Sequence, residues 1–272
     1  MRFDAYAASI RDQDLGYVAN CLADNLGGII CKGRQMRRYG EVWDIETGPR
    51  NAAWIGRDQT SGLLYVEGKG DSSPQLARTI RVHFPDHTVP RFDVCEDYDE
   101  PGAFDALQAT VRAHKGPKVK AGYVALPDDV ADGKTWSCGV RGGVSYLRIY
   151  EKGKQPEYVS EGRPDWARFE LECRPHYARD KAAAARMSPV EAFGFSAWSQ
   201  RVGEAVLQVP IPRFIPEIRA YSYDKTTRYI ANTFRRHFEE MIANGEDVTR
   251  TLQGVWEEED HRALQNRRST HH

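Results

Sequence analysis

One tyrosine in the middle of this chain stands between two cations and opposite a row of acids. Residues 144–155 read V-S-Y-L-R-I-Y-E-K-G-K-Q, and residues 165–174, after a Glu161-Gly162-Arg163-Pro164 connection, read D-W-A-R-F-E-L-E-C-R. In extended chain, alternate side chains share a face. Tyr146, Arg148, Tyr150 and Lys152 then point one way, and Leu147 and Ile149 the other. The second run puts Arg168, Glu170, Glu172 and Arg174 opposite Ala167, Phe169, Leu171 and Cys173. A third, V-P-R-F-D-V-C-E-D-Y-D, puts Arg91, Asp93, Cys95 and Asp97 opposite Phe92 and Val94.

A phenol with an ordinary pKa near 10 is a poor nucleophile at neutral pH. Cations two residues away on the same face, here Arg148 and Lys152, favour the phenolate and can hold a phosphate. Attack on a phosphodiester also requires its charge to be neutralised, which a divalent metal with hard oxygen ligands would do. Asp93, Asp97, Glu170 and Glu172 are the ligands that adjoining strands would bring together. For any single strand, a solvated face laced by cross-strand salt bridges is the better reading. Three strands that all set an apolar face against one rich in Asp, Glu, Arg and Tyr favour a site. Glycoside hydrolysis by Glu170 and Glu172 is disfavoured, because carboxyls two apart on one strand lie side by side rather than across a sugar ring.

Other candidates are weaker. His83 and His87 stand four apart, but Pro85 between them points to a surface turn rather than a metal pair. Gly139-Val140-Arg141-Gly142-Gly143 lacks the G-K-[ST] of a P-loop and reads as a hairpin turn. Trp43, Trp54, Trp136, Trp166 and Trp198 offer rings of the kind that stack on bases, but most tryptophans are core, and core is the better reading.

The elements that would position these residues form an α+β pattern built on antiparallel sheet with flanking helices and a helical C-terminal part. Leu15, Val18, Ala19, Leu22 and Leu26 mark an amphipathic helix ending at Gly27-Gly28, within an N-terminal segment (1–36) expected to be helical or irregular. RYGEVWDI, NAAWIG and GLLYVEG read as antiparallel strands. Helices are expected from Asp71 to Phe84 and over 102–114, with strands over 118–126 and 134–140 around turns at Asp128-Asp129 and Asp132-Gly133. A capping box at Ser188-Pro189-Val190-Glu191 predicts a helix to about Gln208. Asp224 to Ala243 reads as one long helix, and a last one begins at Asp247. The main domain is expected over 37–245, with a C-terminal helix and polar tail over 246–272.

The 272 residues carry a net charge of −1, so bulk charge announces no nucleic-acid binder, although residues 101–245 are mildly basic at +5. No apolar run reaches the roughly 18 residues of a membrane span. MRFDAYAASIRDQD lacks the apolar core of a secretory leader. Five scattered cysteines without a C-x-x-C pair fit reduced thiols in the cytoplasm.

In the order and content of these segments the chain resembles the replication initiation factor (Rep_trans) family. These are rolling-circle initiators of plasmids and filamentous phages, with related nickases of integrative elements. The family's R-x-D-x-x-x-D segment corresponds to Arg91, Asp93 and Asp97, and its R-x-Y-[DNE]-K segment to Arg148, Tyr150 and Lys152. Its W-x-R-x-E-x-E/R segment corresponds to Trp166, Arg168, Glu170 and Glu172. The resemblance spans roughly residues 37–245. It implies Tyr150 as nucleophile, supported by Arg148, Lys152 and Arg168, with Mg²⁺ or Mn²⁺ held by Asp93, Asp97, Glu170 and Glu172. The products would be a 5′-phosphotyrosyl link and a free 3′-hydroxyl that primes synthesis, with rejoining as the reverse. It further implies DNA as partner, as an origin hairpin or single strand, along with a host helicase or polymerase and a homodimer. Two departures stand out. There is no His-hydrophobe-His metal motif, and the family's glycine-serine-arginine-serine turn is here Gly139 to Gly143. A non-catalytic DNA-binding protein on the same scaffold is the alternative.

Overall fold

The start of the chain, expected to be helical or irregular, opens with a strand. In RFDAYAASI the side chains of Tyr6, Ala8 and Ile10 recur at every second position, and Arg2–Ile10 forms β1 with all three buried. The computed structural model describes residues 1–255 apart from 35, 37, 49, 126–132 and 216–222. Met1–Glu217 forms one compact unit and Ile218–His272 a second.

The first unit is built on a ten-stranded antiparallel sheet. Its strands are β1, β2 (Ile29–Lys32), β3 (Tyr39–Thr47), β4 (Arg50–Asp58), β5 (Leu64–Lys69), β6 (Thr88–Asp99), β7 (Ala121–Ala125), β8 (Thr135–Gly139), β9 (Ser145–Glu151) and β10 (Trp166–Cys173). Their order is β2-β3-β4-β5-β1-β6-β10-β9-β8-β7. β1 is hydrogen-bonded to β5 on one side and β6 on the other. A strand paired along both edges cannot belong to a separate segment, so residues 1–36 are part of the sheet unit.

Helices α1 (Leu15–Leu26), α2 (Ser73–His83), α3 (Ala103–His114), α4 (Ala178–Ala184) and α5 (Ala197–Leu207) share one apolar core with the sheet. Local signals explain their limits. Asp14 caps α1 by accepting from the Tyr17 N–H at 3.0 Å, and Gly27 ends it in the left-handed region at φ 67°. Leu15, Val18 and Leu22 of α1 share that core with Ile45, Ile55 and Leu64. Each such side chain stabilises the fold by roughly 1.5–3 kcal/mol.

Three expectations are corrected. The Ser188–Glu191 capping box forms, with Ser188 N–H donating to Glu191 Oε2 at 2.7 Å, but it opens only a 3-10 turn over Glu191–Phe195. α5 begins after it with its own capping box, Ser196 with Ser199. His87 is buried rather than on a surface turn: its ring nitrogens bond Tyr6 Oη at 2.8 Å and the Phe84 carbonyl at 2.7 Å. The single helix expected over 224–243 is two, α6 (Tyr223–Thr233) and α7 (Arg235–Ala243), interrupted at Phe234 (φ −107°, ψ 15°). These helices lie in the second unit, where residues 248–255 are also helical and Asp247 caps them by accepting from Arg250 N–H. The turn residues Asp128, Asp129 and Asp132 fall outside the described residues.

Sheet pleating sorts the side chains. Phe92, Val94, Leu147, Ile149, Phe169 and Leu171 enter the helix-covered core. The opposite face of the same strands carries the charged side chains singled out by their spacing.

Candidate active site

The strand register sets three rows of side chains on that charged face. Tyr150 pairs with Arg168 and Arg168 with Asp97; Arg148 pairs with Glu170 and Glu170 with Cys95; Tyr146 pairs with Glu172 and Glu172 with Asp93. The expected residues of β6, β9 and β10 therefore share one face.

At the centre, the Tyr150 hydroxyl donates to Glu170 Oε2 at 2.8 Å, and Arg148 Nη2 donates to Glu170 Oε1. Arg168 grips Asp97 with two bonds, Nε to Oδ1 at 2.6 Å and Nη2 to Oδ2 at 2.7 Å. Its remaining nitrogen, Nη1, donates to Asp4 Oδ1 at 2.6 Å. One row away, Arg91 forks onto Asp93 at 3.0 and 2.6 Å and reaches Glu172 Oε2 at 3.3 Å. Arg174 Nε holds Glu172 Oε1 at 2.6 Å.

Asp4 was not expected here. β1 carries one extra residue between Phe3, opposite Val94, and Ala5, opposite Asp93, and Asp4 is that residue. A bulge of this kind re-aims a side chain, and here Asp4 meets Arg168. The alternation of Tyr6, Ala8 and Ile10 was the signal that could have exposed the strand.

Lys152 departs from the expected strand position. β9 ends at Glu151, and Lys152 opens a 3-10 turn (Lys152–Lys154). A Cβ at Gly153 would collide with the Arg163 carbonyl, so glycine is what lets the chain fold back there. The Lys152 side chain is consequently buried, with Nζ 4.3 Å from the Tyr158 ring centre and 4.5 Å from that of Trp166.

Burial dominates the electrostatics of the central pair. It pushes the Tyr150 phenol above its ordinary value, and the Glu170 carboxylate adds to the shift. This reverses the expectation that neighbouring cations would lower it, because Arg148 is held by Glu170 and Lys152 has left the strand. Burial also raises Glu170; Arg148 opposes the shift, and Asp93 and Asp4 reinforce it. Asp93 is raised by its own burial despite Arg91. At Asp97 and Glu172 burial acts upward too, but the arginine bonds outweigh it and both carboxyls lie below the ordinary value. Burial and the Arg168 charge lower the Lys152 ammonium.

A cleft of about 560 Å³ opens beside this network, lined by Tyr150, Lys152 and Arg168 on one side and by Asp4, Lys69 and Asn51 on the other. The structure thus gathers Tyr150, Arg148, Glu170, Arg168, Asp97 and Lys152 at one end of the face. Asp93 and Glu172 stand further along it with Arg91 and Arg174. Every oxygen of the four expected ligand carboxylates has an arginine or phenol partner. Among the described residues, no group of three or more His, Cys, Asp or Glu side chains is arranged to hold a metal ion. As paired, these carboxylates do not fit a divalent cation.

No family model matches the chain, and no curated protein matches it. A solved structure does: the rolling circle replication initiator protein from Geobacillus stearothermophilus, with a TM-score of 0.51 over 82% of this chain and 89% of that one, at 16% sequence identity. At that identity the likeness establishes the α+β fold. Among the described residues, no helix is long and apolar enough to cross a membrane.

Proposed function

We propose that this chain is a rolling-circle replication initiator of the Rep_trans type, nicking and rejoining DNA through Tyr150. The observation that carries the reading is the 2.8 Å hydrogen bond from the hydroxyl of Tyr150, which lines a cleft together with Lys152, to a buried carboxylate, Glu170. A phenol of raised pKa needs a base to attack, and a carboxylate of raised pKa is a better base than an ordinary one. Likeness to a replication initiator at the level of fold and the match of residues 91–97, 148–152 and 166–172 to the family's segments support the same reading.

In this mechanism Tyr150 Oη attacks the phosphorus of one phosphodiester while its proton passes to Glu170 Oε2. The bond from phosphorus to the 3′-oxygen breaks, leaving the 5′-phosphate esterified to Tyr150. Lys152 neutralises the phosphate and protonates the departing 3′-oxygen, suited to that step by its lowered pKa. Arg168, fixed by Asp97 and Asp4, sets its positive charge against the upward shift that burial and Glu170 impose on the Tyr150 phenol. Rejoining runs the steps backwards, the 3′-hydroxyl attacking the phosphotyrosine and Glu170 returning the proton.

Mg²⁺ or Mn²⁺ enters only if the arginines release Asp93, Asp97, Glu170 or Glu172. Nicking that stops with chelator and returns with Mn²⁺ would show that a metal takes part.

The test is conversion of supercoiled plasmid carrying the cognate origin into nicked circles with covalently bound protein. Nicking by the wild type and its loss in Tyr150→Phe support the reading. Binding without nicking would instead favour a non-catalytic DNA-binding protein, in which the arginine–carboxylate network only braces the sheet.

A further inference from the structure

The charged face does not end at the Tyr150 cleft. At the other end of the sheet it carries three aromatic side chains, Tyr39 of β3, Trp54 of β4 and Tyr65 of β5, all half-buried. Their ring centres lie 5.2 Å (Tyr39–Trp54), 5.7 Å (Tyr39–Tyr65) and 5.1 Å (Trp54–Tyr65) apart. The flanking side chains Ile55, Leu64 and Val66 enter the helix-covered core, so the trio is on the side away from it. Gly56 makes room for the cluster: a Cβ there would stand 3.1 Å from that of Tyr39, whose ring lies across the strand to reach both neighbours.

A second hollow joins the two sites. It is lined by Asn51, Ala52, Trp54, Glu67 and Lys69, and it shares Asn51, Ala52 and Lys69 with the cleft of Tyr150. The groove therefore runs from Tyr150 and Lys152, past Lys69, to the Trp54 ring. Arg38, paired with Asp58, lies 5.8 Å over the Tyr39 ring, and Lys69 stands 3.3 Å from Glu67 in the hollow beside Trp54, so cations held by carboxylates flank the aromatic end. Partly exposed aromatics flanked by cations suit nucleobases and their phosphates.

We infer that Tyr39, Trp54 and Tyr65 form a stacking platform for the bases of the single strand flanking the phosphodiester at Tyr150. This deepens the proposed function and rests on it. Five strand spacings separate β4 from β9, about 24 Å, and Trp54 lies three residues, about 10 Å, along β4 from Asn51. A stacked strand covers that path in about 10 nucleotides, so only oligonucleotides with a long flank reach the platform.

The experiment uses the full chain with single-stranded oligonucleotides carrying the cleavage site. One set extends about 3 nucleotides on each side; the others extend about 12 on the 5′ or the 3′ side. Trp54→Leu and Tyr65→Leu keep apolar bulk while removing the π-face. Each is expected to weaken binding of one long-flank oligonucleotide by about 5- to 150-fold. Binding of the short one and its capture by Tyr150 should stay unchanged. Abasic positions in the long flank should weaken wild-type binding similarly and add little in the variants, an arm that needs no variant to fold. Equal binding of long and short oligonucleotides by the wild type, or unchanged long-flank affinity in both variants, would overturn the platform. If Tyr150 capture persists in either case, the proposed function survives. If the wild type captures no oligonucleotide yet shows the platform effect, the nicking reading fails and the platform stands as a binding surface. No binding of either length would sink both.

Discussion

Glu170→Gln changes one oxygen to an amide and tests whether the carboxylate acts as a base. Glutamine has the same shape, so it can still bond Arg148 or Tyr150, but it cannot take the phenolic proton. Loss of a positioned base costs about 10²- to 10⁴-fold in rate, or about 3–5 kcal/mol in the barrier. Stability falls as well, because the partner left behind is a guanidinium. Arg148 keeps 32% of its side chain exposed while Glu170 keeps 4%. Much of the freed charge therefore stays hydrated, and the cost is nearer the about 1–3 kcal/mol of an unsatisfied group than the about 3–5 kcal/mol of a broken fully buried pair. The assay is single-turnover capture of a labelled oligonucleotide, with protein in excess and well below the melting temperature, followed on denaturing gels. Thermal unfolding is measured in parallel. A capture rate within tenfold of wild type, in a folded variant that binds the oligonucleotide normally, would refute the assignment of Glu170 as base.

Further outcomes follow from the same geometry. Capture should have a bell-shaped pH dependence. Its acid limb reports Glu170, above the ordinary 4.3 or so because the folded carboxyl is raised, and its alkaline limb Lys152, below the ordinary 10.4 or so because that ammonium is lowered. Lys152→Met should remove the alkaline limb and slow capture about 10²-fold. Arg168→Lys cannot hold Asp97 with a two-nitrogen fork and reach Asp4 at once. Because Arg168 is 2% exposed, stability should drop by about 3–5 kcal/mol, read by chemical denaturation. Asp97 is lowered in the fold, so its contribution is present above the ordinary carboxyl range and lost as pH falls through its folded value. Asp97→Asn should accordingly flatten the rise in melting temperature as pH increases through that range.

The central sheet was readable because β6, β9 and β10 alternate strictly, Val, Ile, Leu or Phe on one face and ionisable groups on the other. Helices α1, α2 and α3 announced themselves by spacing and end residues. What stayed hidden depended on contacts between distant segments. β1 offers Ala5, Ala7 and Ser9 beside its core-facing residues, small side chains without a polar alternation, and Asp4 enters the site only through a bulge. Lys152 leaves the strand because Gly153 packs against Arg163, ten residues on. The direction of the Tyr150 shift is a matter of burial and of Arg148 being taken by Glu170, and neither is written in the spacing of a strand. The aromatic trio comes from three strands, and only their register brings the rings together.

The proposed function requires Tyr150 to become covalently joined to DNA. Wild-type protein incubated with an origin-bearing oligonucleotide, digested and mapped by mass spectrometry, should yield one nucleotide-bearing peptide, modified at Tyr150. Tyr150→Phe should yield none while binding the oligonucleotide as before. A modified peptide carrying any other residue, or undiminished adduct in Tyr150→Phe, would contradict it.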